Sequence, residues 1–414
     1  MSALSDPHQP SVLFARQPIF DSSREIVAFE LLFRPTDGGP MPLPFDGNRA
    51  TSTVLLNAFT QGDLKTVGQG KQLYVNFTAD TLAGEIPFDN AHMVVEILED
   101  TPCTEAVCQR LVELRERGFT LALDDYTEHD ATHPFLPLVD VVKLEYPHYS
   151  NEEFYRIITQ LRRHQPHLKL LAEKLETEAE LEHCLDAGCD YFQGYFLARP
   201  QIVHGKPVTT ARLTILKLIT ELNQPDIGTR HIATTIERDP ALGMRLLHLV
   251  NTTQYQRPGE IDSLHQAVRL VGVHRVRSLA TLLALSELND KPHSLRQLAL
   301  TRASLCRELA IDDPLLSERA FIVGLFSYLE AFFDRPLKDL VAILPLHPAI
   351  NAALLLHEGP LGALLDTAIK LEHGDWNEIP WARLQALGIQ AIDVGAANQR
   401  ALKIVGELQA SGGF

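Results

Sequence analysis

Two carboxylates stand side by side where an apolar run ends, in Thr120-Leu121-Ala122-Leu123-Asp124-Asp125-Tyr126. An apolar run that stops at acids is how a buried parallel strand finishes when its C-terminal end carries chemistry. Successive side chains of a strand point to opposite faces, so both aspartates can serve one site only where the strand breaks into a loop. Carboxylates this close repel each other, and a divalent cation relieves the repulsion. The same residues also read as a strand end followed by a polar turn, because aspartate is common in turns. The other strand ends of the chain decide between these readings.

The elements that must position the acids alternate in period. Residues 11–16 form a short extended segment that Gln17-Pro18 breaks, Asp21-Ser22-Ser23 is a turn, and 25–34 is a strand, together an N-terminal hairpin. A loop rich in Pro, Gly and Asp over 35–47 precedes a helix at 48–58. Further strands are predicted at 73–77, 92–99, 139–145, 168–174 and 190–197, beside the one that ends at Tyr126. Helices are predicted at 104–118, 151–164 and 177–187, stopped by Gly118 and Gly188. Strands that alternate with helices build a parallel sheet, and at this number of units a TIM-like β/α barrel is its natural closure. The polar residues gather at strand ends: Glu30, Asn76, Glu96, Glu99, Asp124, Asp125, Lys143, Glu173 and Gln193. In a barrel those ends share one mouth. All but the lysine are hard oxygen ligands, which suit Mg²⁺ or Mn²⁺, and two such ions about 3.5–4 Å apart can attack a phosphodiester.

Seven motifs recur along this half in a fixed order. They are Glu30-Leu31-Leu32-Phe33-Arg34, Asn76-Phe77-Thr78, Glu96-Ile97-Leu98-Glu99, Asp124-Asp125, Lys143-Leu144-Glu145, Glu173-Lys174-Leu175-Glu176 and Gln193-Gly194-Tyr195-Phe196. On these motifs residues 12–200 resemble an EAL domain, the cyclic-di-GMP phosphodiesterase family. The resemblance implies an α/β barrel with one antiparallel strand. It implies that Glu30, Asn76, Glu96 and Asp124 hold one metal ion, with Asp124 bridging to a second partnered by Asp125. It also implies that Lys143 orients or activates the attacking water, that Glu173 and Gln193 support the site with Glu30, and that Arg34, Glu99 and Glu176 meet the ligand. Two departures bear on turnover. Tyr126-Thr127-Glu128-His129-Asp130 stands where active relatives have Phe-Gly and a Gly/Ser-rich loop, so a conformation that only glycine tolerates is lost. Glu145 stands where relatives have Asp, and one methylene can displace a supporting carboxylate. Hydrolysis of cyclic-di-GMP and its binding without turnover both stay open.

Beyond a linker at 200–207 the period changes to 3.6 and stays there. Helices are predicted at 212–222, 231–238, 241–250, 264–271, 276–288, 295–310, 315–333, 337–344, 349–357, 361–372 and 391–409, with no strand. The runs ERDPALGMRLLHLVN and SLHQAVRLVGVHRVRSLA resemble an HDOD domain, a relative of HD-domain phosphohydrolases. The whole chain thus resembles the EAL–HDOD, or YuxH-like, signalling proteins, multidomain with a barrel at 1–203 and an all-α helical domain at 204–414. An HD enzyme needs adjacent His and Asp on a helix. The corresponding pair here is Ser327-Tyr328, so a regulatory protein partner rather than metal chemistry is expected of this half.

The bulk numbers exclude some classes. A net charge of −16, from 53 acids against 37 bases, argues against a general nucleic-acid or anionic-membrane binder. Of 414 residues, 45% are hydrophobic and 22% charged, as in globular proteins of two or three domains. Five cysteines without tight ligand spacing, behind an N-terminus that lacks an export signal, place the chain in the cytoplasm by expectation. Oligomeric state stays open, a homodimer included.

Overall fold

The computed structural model describes residues 12–35, 61–128, 131–194, Leu197 and 210–410, apart from 87, 224–227, 252–260, 262, 287 and 289–290. The chain divides into two compact units. One is Met1–Ala198 with Leu371–Trp376 and Gln390–Gly395, and the other is Arg199–Lys370 with Asn377–Ile389 and Ala396–Phe414. The expected helix at 48–58 and the linker at 200–207 lie outside the described residues.

The first unit holds eight strands that close into a barrel in chain order. They are β1 (Val12–Asp21), β2 (Ile26–Pro35), β3 (Gln72–Phe77), β4 (Met93–Ile97), β5 (Thr120–Tyr126), β6 (Val141–Glu145), β7 (Lys169–Glu173) and β8 (Tyr191–Phe192). β1 runs antiparallel to both of its neighbours, and every other pairing is parallel. The β1–β2 hairpin turns on Asp21, whose Oδ1 accepts from the amides of Ser23 (2.8 Å) and Glu25 (3.0 Å).

β1 corrects one sequence expectation. It does not break at Gln17-Pro18 but continues to Asp21, with Pro18 opposite Phe29. The ladder from β8 reaches only Phe20 and Asp21, so the missing proline N–H falls where β1 has no partner on that side. Two helices matching expectation sit on capping boxes, Asn151–His164 behind Ser150 and Glu178–Ala187 behind Thr177. Gly188 then leaves the second helix at φ 97, as a left-handed stop.

Period two along the strands builds the interior in layers. Ala28, Tyr74, Val94, Ala122, Val141 and Leu171 form one buried apolar layer with Ile19. Two residues farther along the same six strands stand Glu30, Asn76, Glu96, Asp124, Lys143 and Glu173. Side chains two apart share a face, so an apolar floor carries a polar layer above it.

The second unit is helical, with no strand among its described residues. The stretch expected as one helix over 315–333 is two, Pro314–Phe326 and Leu329–Phe333. They part at Ser327-Tyr328. Arg302, from helix His293–Leu309, donates there to Ser327 Oγ (3.0 Å) and Tyr328 Oη (2.9 Å), its guanidinium 4.1 Å from the Tyr328 ring centre. Ser327 Oγ in turn donates to the Gly324 carbonyl at 2.7 Å, and the Tyr328 amide turns to the Leu325 carbonyl instead, so a side chain takes the acceptor that would continue the ladder.

Candidate functional site: a lysine ringed by carboxylates

Lys143 lies at the centre of the polar layer, its side chain 1% exposed. Its Nζ is 2.7 Å from Glu96 Oε1, 2.8 Å from Asp124 Oδ1, 2.9 Å from Glu173 Oε1 and 3.5 Å from Glu30 Oε2. Burial alone would lower the lysine pKa, but the four carboxylates overcome it and hold the ammonium charged far above its usual range. Asn76, with its amide turned to satisfy its neighbours, donates to Asp124 Oδ2 (3.2 Å) and Glu96 Oε2 (3.3 Å). Gln193 Nε2 donates to Glu30 Oε2 (2.8 Å) and Gln17 Oε1 (3.0 Å).

The double aspartate solves the problem posed by strand alternation. β5 does not break into a loop before Asp125. It bulges, with a register shift against β6 between Leu123 and Tyr126, and Asp125 takes φ 40. Aspartate is among the few residues that tolerate this left-handed region. Oxygens of Asp124, Asp125 and Glu173 then lie within 4.8 Å of one another, a set that can hold a metal ion. The end of the bulged strand is pinned by Tyr149, whose hydroxyl donates to the Tyr126 carbonyl at 2.6 Å. Thr127 is not among the residues at positive φ, so the unusual conformation falls on Asp125 rather than on the position where glycine was missed.

A cation set fits the electrostatics of this cluster. Burial, and then the neighbouring Glu30 and Asp124, push the Glu96 carboxyl well above its ordinary value against the pull of Lys143. Burial likewise raises Glu173 to about 8, with Lys143 opposing and Asp124 and Glu30 adding. Burial and the adjacent Asp124 raise Asp125 to about 6. Five carboxyl groups share one buried ammonium, and Gln193 Oε1 is buried without a hydrogen-bond partner in the described structure. Hard, acceptor-rich oxygen donors in excess of charge are what Mg²⁺ or Mn²⁺ takes.

Glu30, Asn76, Glu96, Asp124, Asp125, Lys143, Glu173 and Gln193 therefore converge. Glu99 and Glu176 do not join the Lys143 cluster, and both side chains are exposed in the turns after β4 and β7. Arg34 pairs with Leu13 in the β1–β2 ladder, and its side chain lies outside the described residues, as do His129 and Asp130. Sequence reasoning missed Gln17, which buttresses Gln193, because Pro18 hid the strand that carries it. It also missed Lys174, which pairs with Glu145 at 2.8 Å, because a charged residue between Glu173 and Leu175 reads as solvated surface.

An EAL domain model matches residues 69–200 and an HDOD domain model matches 209–332. The chain is 30% identical over 378 residues to the uncharacterized protein YuxH of Bacillus subtilis (strain 168), covering 88% of this chain and 92% of that protein. The chain belongs to the EAL–HDOD family. It is also 32% identical over 385 residues to the cyclic di-GMP phosphodiesterase CdgJ of Vibrio cholerae, covering 92% of this chain and 89% of that protein. Among solved structures it is similar to the Bacillus subtilis YkuI protein, with an EAL domain, in complex with substrate c-di-GMP and calcium. That likeness has 17% identity, covers 63% of this chain and 72% of the other, and has a TM-score of 0.36. The EAL match begins at residue 69, so the hairpin that brings Glu30 into the EAL site lies outside it and joins through barrel closure.

Proposed function

We propose that this EAL–HDOD protein binds cyclic-di-GMP in its barrel and, with Mg²⁺ or Mn²⁺, opens one phosphodiester to give the linear dinucleotide. The observation that carries this reading is the Lys143 ammonium among Glu30, Glu96, Asp124 and Glu173, with Asp125 presented beside them by the bulge. Glu30, Asn76, Glu96 and Asp124 would hold one metal ion, and Asp125 stands beside Asp124 on the side where a second would bind. Bound there, the metal supplies Lewis-acid stabilisation of charge on the phosphodiester. Glu173, 2.9 Å from the Lys143 ammonium, is placed to take a proton from the attacking water when ionised. A P–O bond to the water oxygen forms, one P–O ester bond breaks, and the proton is relayed to the leaving alkoxide. Lys143 donates towards the attacking oxygen and balances the negative charge. Gln193 keeps Glu30 oriented through Glu30 Oε2. The apolar layer beneath excludes water from the floor of the site.

The barrel module is read as 1–203 and the helical module as 204–414, the latter conveying the state of the chain to a protein partner. Five free cysteines support a reducing, cytoplasmic setting. Among the described residues no helix is long and apolar enough to cross a membrane.

A receptor reading has its own support. The loop after Asp125 is held by Tyr149 on the Tyr126 carbonyl and contains Thr127 in place of the family glycine. Hydrolysis of cyclic-di-GMP by the full-length protein with Mg²⁺ and then Mn²⁺, beside Glu30→Ala, separates the two. Ion-dependent product that is lost in the variant supports the enzyme. Bound nucleotide without product supports the receptor. Neither binding nor product removes both.

A further inference from the structure

Lys174 follows Glu173 directly at the barrel rim and sits at φ 56, a conformation that favours glycine. Its ammonium is held by Glu145 Oε1 at 2.8 Å. Glu145 pairs with Glu173 in the β6–β7 register, so Asp125, Glu145 and Lys174 gather at the C-terminal ends of three consecutive strands, the last of them one residue past β7. The Lys174 ammonium acts electrostatically on both Asp125 and Glu173.

The carboxylates around the site are already divided. Glu30, Glu96, Asp124 and Glu173 ring Lys143. Asp124, Asp125 and Glu173, whose donor atoms converge, are where a second ion would sit. Glu145, the acid nearest in the strand order on that side, is engaged by Lys174. We propose that Lys174, anchored on Glu145, supplies the second positive charge on the Asp125 side of the site, so that the barrel takes up one divalent ion rather than two. This rests on the metal reading above and deepens it.

The charge logic is simple. A second ion beside Asp125 meets the field of an ammonium held at the neighbouring strand ends, and it lacks Glu145 as a supporting acid because Lys174 engages it. The left-handed backbone of Lys174 is kept although glycine would take it without strain, and the anchored side chain is what that conformation carries.

The test is Mn²⁺ uptake by the metal-stripped full-length chain, read by titration calorimetry and by counting bound ion after equilibrium dialysis. The wild type is expected to bind one Mn²⁺ per chain. Lys174→Gly, which suits φ 56 and frees Glu145, is expected to bind two. Lys174→Arg keeps the charge and is expected to bind one. Two ions in the wild type, or one in Lys174→Gly, overturns the proposal and leaves the metal reading standing. No ion in the wild type overturns both.

Discussion

At Lys143 the barrel interior depends on a single positive charge. Removing it leaves four carboxyl groups in a site that excludes water. Breaking a buried ion pair on one side costs roughly 3–5 kcal/mol. Lys143→Met is therefore expected to lose about that much in urea unfolding at alkaline pH with a chelator present. The loss should shrink in acid, where Glu96 and Glu173 carry protons. The wild type has a related pH dependence. Glu173 is raised from 4.5 to about 8 in the folded chain, so between those values the folded state holds a proton that the unfolded chain has released. Stability is then greatest below the lower value and falls as pH rises through the window. The unfolding midpoint in chelator should drop from about pH 5 to about pH 8, and saturating Mn²⁺ should flatten or reverse the slope, because the ion binds ionised carboxylates. A midpoint independent of pH in chelator would remove the raised Glu173 from the account. Which residues meet was readable from their places at strand ends. Their protonation was not, because it depends on how many acids share one ammonium in an apolar surround.

Among the elements, the β5 bulge and the β7–β8 closure do the positioning. Asp125 at φ 40 makes a separable prediction. Asp125→Gly and Asp125→Ala both remove the carboxylate, but the glycine variant should be more stable by about 1 kcal/mol, since only alanine is strained in that region. The check is thermal unfolding of both variants without metal. Gly194 answers a closer approach. A Cβ there would lie 2.1 Å from the Leu175 carbonyl oxygen, and Leu175 N donates back to the Gln193 carbonyl at 3.2 Å. Gly194→Ala should cost about 2–4 kcal/mol and loosen the Gln193–Glu30 bond, read as weaker Mn²⁺ affinity and a lower midpoint. Buried parallel strands, such as β3 and β6, were legible as short apolar runs closing on polar residues. β1 was not, because Pro18 reads as a break and only the short reach of β8 makes it tolerable. The last strand was expected over 190–197, and among the described residues its ladder covers Tyr191 and Phe192. The break at Ser327-Tyr328 was invisible for a similar reason. Ser327 is compatible with a helix, and only the folded chain shows its Oγ taking the Gly324 carbonyl while Arg302, 25 residues away, donates to the same Oγ.

For the whole molecule, the change of period near residue 200 told the two halves apart, because strand and helix patterns are local. Within the helical unit the decisive contact is not local. A Cβ on Gly324 would sit 2.7 Å from the Ala303 Cα and 2.8 Å from the Arg302 carbonyl oxygen, so helices His293–Leu309 and Pro314–Phe326 meet backbone to backbone. Gly324→Ala should lower the thermal midpoint of the chain while Mn²⁺ uptake, whose candidate ligands all come from the barrel, keeps its stoichiometry in calorimetry. A change in that stoichiometry would mean that the helical unit takes part in metal binding.

The Gln193–Glu30 bond spans 163 positions of the chain. On the ribosome, Glu30 emerges early and waits for Gln193, with all the other acids made in between. Until β8 leaves the exit tunnel, the nascent chain carries Glu30, Glu96, Asp124, Asp125, Lys143 and Glu173 with no closed wall to hold them together. A prematurely terminated chain that stops before residue 191 thus carries every candidate metal ligand but lacks the strand that closes the barrel. Only a chain read through the last strand can close the barrel around them.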